Sequence, residues 1–80
     1  PRSVGPSEVL CRENTQGDSF FVAIQGQFLV MKNGKLIKTL KQGDIFGEIA
    51  LMLTEGTRTA TVVSEQGGLV LEVRRDELYK

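Results

Sequence analysis

Asn33-Gly34, set between residues 28–32 and 35–40, constrains the fold of this chain more than any other pair. Both residues tolerate the positive φ that a two-residue type I′ hairpin turn requires. The flanking runs are therefore predicted to be neighbouring antiparallel strands. The same cadence of short apolar run and glycine turn fills most of the sequence. A first strand is expected over 9–12; Gly17-Asp18 turns into 19–24; Gly26 precedes 28–32; Gly43-Asp44 leads into Ile45-Phe46; 59–64 and 68–73 are joined through Gly67-Gly68. Regular short strands of this kind predict a mainly β, antiparallel roll of jelly-roll type. Gln-Gly-Asp occurs at 16–18 and again at 42–44, each time before a strand containing an aromatic residue, and reads as two similar corners of one rolled sheet. The exception is 48–53, good helix formers directly after Gly47, which predict one or two helical turns.

Eighty residues allow one domain at most, near the size at which a single core only just offsets chain entropy. Ten basic residues balance ten acidic ones, which argues against a binder of nucleic acid or of a membrane surface. No apolar run is long enough to cross a bilayer, and no signal peptide is visible at the start. The single Cys11 rules out an internal disulfide framework, fits a reducing compartment, and reads as a buried structural thiol within Val9-Leu10-Cys11. The absence of histidine removes the commonest general base and metal ligand. Pro1 at the start and a helix beginning over 76–80 lead us to expect residues 1–80 to be one domain, a fragment of a longer protein without its flanking helices.

Phe46-Gly47-Glu48-Ile49-Ala50-Leu51, a loop over 52–57, and Arg58-Thr59-Ala60-Thr61-Val62 form the segment that carries chemistry. Gly47 lets backbone approach a ligand closely. The amides of 48–51 would open a short helix, whose start favours an anion through free N–H groups and the helix dipole. Arg58, at the head of the next strand, can be aimed into the same pocket, where a guanidinium matches two phosphate oxygens.

This segment resembles the phosphate-binding cassette of cyclic-nucleotide-binding domains, the family of the catabolite activator protein, cyclic-nucleotide-dependent kinase regulatory parts and cyclic-nucleotide-gated channels. Gly17 to Ile24 followed by Gly26, and Gly43 to Gly47, resemble it too, so the likeness covers about residues 7–77. It implies a non-enzymatic sensor of a 3′,5′-cyclic purine nucleotide, cAMP or cGMP, with no cofactor and no metal, that regulates an attached effector in the cytoplasm. Glu48 would hold the ribose 2′-hydroxyl and Arg58 the exocyclic phosphate oxygens. Backbone N–H groups near Ile49, Ala50, Thr59 and Ala60 would complete the cradle beside Gly47. Val30 and Ile37 fall where the family lines the base pocket, and Thr59 stands where many cGMP-responsive members carry a threonine. The implied partners are the nucleotide and effector helices elsewhere in the parent protein. No nucleic acid or membrane contact is expected of this stretch.

Plainer explanations exist for each of these residues. Arg58 alone would read as a solvent-facing strand start, Glu48 as a first-turn acid favoured by the dipole, and Thr59 as a β-former. Phe20, Phe21, Phe28 and Phe46 read as core rather than base-stacking residues. Lys32, Lys35, Lys38 and Lys41 read as a solvated hairpin face that protects a sheet edge. The alternative function is the same fold with a pocket that binds no nucleotide, in an interaction or structural role. A cupin-like enzyme shares the coarse strand pattern but generally needs a histidine-rich metal site. A DNA-binding regulator would need a helix-turn-helix outside this sequence.

Overall fold

The computed structural model describes residues 2–47 and 57–78, excepting the side chains of Asp76 and Leu78. Among the described residues, eight strands and one helical turn follow in order: β1 Arg2–Val4, β2 Val9–Cys11, β3 Ser19–Gln25, β4 Phe28–Lys32, β5 Lys35–Leu40, β6 Ile45–Phe46, β7 Thr61–Ser64, β8 Gly68–Arg74 and α1 Arg75–Leu78. They form two four-stranded antiparallel sheets, β1-β8-β3-β6 and β2-β7-β4-β5, which is the expected roll. The helical turns expected after Gly47 lie outside the described residues.

Strict alternation on β3 explains how the roll closes. Ser19, Phe21 and Ala23 point inward and are buried, while Phe20, Val22 and Ile24 stay partly exposed on the outer face. Phe21 stacks on Phe46 at 5.0 Å between ring centroids, and Phe28 meets Phe46 at 5.5 Å. Burying each such ring contributes roughly 1.5–3 kcal/mol, so this trio with Val62 and Val70 is the centre of the core. Phe20, expected in that core, instead faces outward opposite Val73.

The hairpin turn is as predicted, with φ of 54° at Asn33 and 76° at Gly34. Its ladder carries one irregularity. Met31 pairs with Leu36, yet Val30 pairs with Lys38, which leaves Ile37 as the extra residue of a bulge. The strand expected over 59–64 begins only at Thr61. Arg58 gives its backbone elsewhere, donating to the Thr15 carbonyl at 2.7 Å and accepting from Asn14 N–H at 3.0 Å.

β1 has no periodicity of its own and forms by adding to the edge of β8. Arg2 fixes it there, donating to Glu8 at 2.7 Å and Glu72 at 3.1 Å. The Gly5 amide and then the Arg2 guanidinium hold the Glu8 carboxyl below its usual pKa.

Candidate functional site

Arg58 is 6% exposed, which is unusual for a cation and requires partners. Nη1 donates to the Gly47 carbonyl at 2.8 Å. The guanidinium carbon sits 5.8 Å from the centroid of the Phe21 ring, within reach of a cation–π contact. Glycines flank the group. A Cβ on Gly47, where φ is 84°, would come within 2.7 Å of Nη1. A Cβ on Gly17 would overlap Nε, Cζ and Nη2. The arginine therefore lies in a slot with the aromatic core beneath it and glycine backbone beside it.

The slot opens on a pocket of about 110 Å³. Arg58, Thr59, Ala60 and Gly47 line it together with Val30 and Lys38. Buried Cys11, the expected structural thiol, contributes to the wall. Arg58 and Lys38 bring positive charge, and no carboxylate lines the pocket among the described residues. Such a cavity accepts an anion with an apolar portion. Among the described residues no cluster of histidine, cysteine or carboxylate side chains is arranged to hold a metal ion.

Five of the nine site residues expected from sequence are thus brought together: Val30, Gly47, Arg58, Thr59 and Ala60. Glu48, Ile49 and Ala50 lie outside the described residues. Ile37 is 57% exposed and is not among the residues that line this cavity. The bulge gives the position opposite Val30 to Lys38. Sequence reading assigned that wall to the apolar residue, whereas a lysine stem can line an apolar wall and still present its charge at the mouth. Gly17 was also missed as part of the site, since it reads as an ordinary turn glycine.

A rolled pair of antiparallel sheets with an arginine slotted beside a cationic pocket defines a β-roll domain built to receive a small anion. The family model for the cyclic nucleotide-binding domain matches residues 1–80, and this chain belongs to that family. It is 36% identical over 74 residues to the cAMP-dependent protein kinase type II regulatory subunit of Drosophila melanogaster, covering 92% of this chain and 19% of that protein. It is 31% identical over 77 residues to a cGMP-dependent protein kinase of Eimeria tenella, covering 96% of this chain and 8% of the kinase. The solved structure of cAMP-bound PfPKA-R superposes with a TM-score of 0.91 at 33% identity, over 98% of this chain and 27% of that one. The chain spans a small part of the length of each.

Proposed function

We propose that this chain binds a 3′,5′-cyclic purine nucleotide and, through it, regulates an effector to which it is joined. The observation that carries this is the buried Arg58 guanidinium, slotted between Gly17 and Gly47 at the head of a cation-lined pocket. A cyclic phosphate carries one negative charge that a guanidinium meets with two parallel hydrogen bonds. Within the family's cassette, Glu48 takes the ribose 2′-hydroxyl, and the amides near Ile49, Ala50, Thr59 and Ala60 complete the phosphate cradle. Val30 and the Lys38 stem supply the wall against the purine.

The domain performs no bond-breaking chemistry. Its output is a shift in the position of helices elsewhere in the parent protein, driven by the ligand's differential contacts. We set this in the cytoplasm, with support from the kinase relatives. Residues 1–80 act as one such domain, a unit of a longer protein.

Calorimetric titration of cAMP and cGMP, with the linear monophosphates as controls, tests the proposal. Saturable binding of a cyclic nucleotide and much weaker binding of 5′-AMP and 5′-GMP are expected; no heat with either cyclic nucleotide overturns it. Thr59 bears on the choice of base. Its hydroxyl accepts from the guanine 2-amino group if the base is syn, which favours cGMP by at most roughly tenfold, the worth of one neutral hydrogen bond. Thr59→Ala is expected to weaken cGMP and spare cAMP. Equal losses for both nucleotides would reduce Thr59 to a supporting residue.

A further inference from the structure

The chain is neutral as a whole, but its charge is segregated. Between Asp18 and Asp44 there is no acidic residue, and four lysines, Lys32, Lys35, Lys38 and Lys41, fall on the β4–β5 hairpin and its exit. Outside that stretch the six remaining basic residues face all ten acidic ones. The hairpin is thus a cationic element on a body of opposite net charge, with one body carboxylate, Glu13, accepting from the Asn33 N–H of its turn at 3.2 Å.

Three features of the hairpin are not explained by solubility. Lys32 and Lys35 are directly paired across the ladder, and like charges directly opposite destabilise a sheet. Leu36 and Ile37 stand beside them at 56% and 57% exposure, the two most exposed large apolar side chains among the described residues. β5 is the last strand of its sheet, hydrogen-bonded only to β4 among the described residues, so its outer edge offers unpaired backbone groups.

From these we infer that the end of the β4–β5 hairpin, Lys32 to Ile37, with the outer edge of β5 is a docking surface for an acidic, extended segment of another protein, outside the pocket that Val30 and Lys38 line. Carboxylates on the incoming segment neutralise the Lys32–Lys35 repulsion that the fold otherwise carries. Its apolar side chains cover Leu36 and Ile37, and its backbone adds to the β5 edge by strand addition. The lysines also make this edge selective. They repel the same edge on a second copy and attract a strand of opposite sign, so self-association is disfavoured by the groups that recruit the partner.

The test uses the whole chain and a fluorescein-labelled peptide alternating glutamate with valine, followed by anisotropy. Binding that weakens as salt is raised is expected, with no binding of the matched lysine–valine peptide. Lys32→Glu with Lys35→Glu should weaken binding at least tenfold, and Leu36→Ser several-fold. Both variants should keep the wild-type affinity for cyclic nucleotide, which separates this surface from the pocket. Lys35→Glu alone should raise Tm by a few degrees, because it turns a repulsive cross-strand pair into an attractive one, while still weakening the peptide. Equal binding of the acidic and basic peptides, or undiminished binding by the double charge-reversal variant, overturns the proposal. So does binding confined to phosphatidylserine vesicles, which would make the hairpin a lipid contact instead.

Discussion

The tripeptide Gln-Gly-Asp builds two corners of this molecule, and the same letters do different physical work in each. At the second corner the backbone needs the glycine. Gly43 has φ of 92°, a conformation that side chains resist, and a Cβ there would meet no atom within 4 Å. Gly43 N–H donates to Ala23 O and Ala23 N–H to Asp44 O, both at 2.8 Å, while the Asp44 carboxylate accepts from Lys41 N–H at 2.9 Å. At the first corner the space needs the glycine. Gly17 is not among the residues of positive φ, but the Arg58 guanidinium occupies the place where its side chain would be. One corner shapes the chain; the other shapes the site.

Five substitutions sharpen or break that contrast. The largest effect belongs to Arg58→Ala, which removes the group that the first corner accommodates. Losing one partner of a desolvated charge pair costs roughly 2–5 kcal/mol, at least about thirtyfold in Kd for the cyclic nucleotide. Calorimetry that returns the wild-type Kd would refute the role of Arg58. Next comes Gly17→Val. The overlapping atoms are the far end of a flexible side chain, so the fold should yield by moving the arginine rather than by unfolding. Affinity should fall about ten- to a hundredfold, and Gly17→Val combined with Arg58→Ala should bind no worse than Arg58→Ala alone. Full additivity of the two losses would show that Gly17 acts on the fold.

Gly43→Ala should do the reverse. Forcing a Cβ into left-handed backbone costs roughly 1–2 kcal/mol, which lowers Tm by several degrees in a domain of this size, while nucleotide affinity stays within about twofold. An affinity loss as large as that of Gly17→Val would erase the distinction between the corners. The smallest effects come from the aspartates. Asp44→Ala deletes the hydrogen bond to Lys41 and should cost about 0.5–1.5 kcal/mol. The Asp18 side chain makes no hydrogen bond among the described residues, so Asp18→Ala should change stability by less than about 0.5 kcal/mol. Chemical denaturation of both variants settles the order.

The contrast also shows what can be read from sequence. Turns that depend on backbone conformation announce themselves, because only a few residues tolerate positive φ; Asn33-Gly34 and the strands it joins were legible for that reason. A glycine required for room looks the same as one required for conformation, and only the location of Arg58 tells them apart. The bulge at Ile37 was not legible, because it shifts the register by one residue and sets Lys38 rather than Ile37 opposite Val30. Strand β1 was not foreseen, since three residues pairing on an existing edge leave no pattern of their own. The cassette itself was legible as a set of residue types at fixed spacing. The slot that holds its arginine was not, because it is assembled from Gly17, Phe21 and Gly47, each of which has an ordinary local explanation.

The backbone bonds of Arg58 to Thr15 and Asn14 set when the domain becomes competent. The two partners are separated by more than half the length of the chain, so this closure belongs to the slow, non-local part of folding. A nascent chain that has emerged only as far as Phe46 already possesses Phe21, Phe28 and Phe46, yet lacks the Arg58 that is placed against them. Ligand therefore cannot act as an early nucleus for this domain; it can only select chains that have already closed. For the same reason the Arg58 amide should exchange its hydrogen at the rate of global opening, and added nucleotide should slow that exchange in proportion to its occupancy.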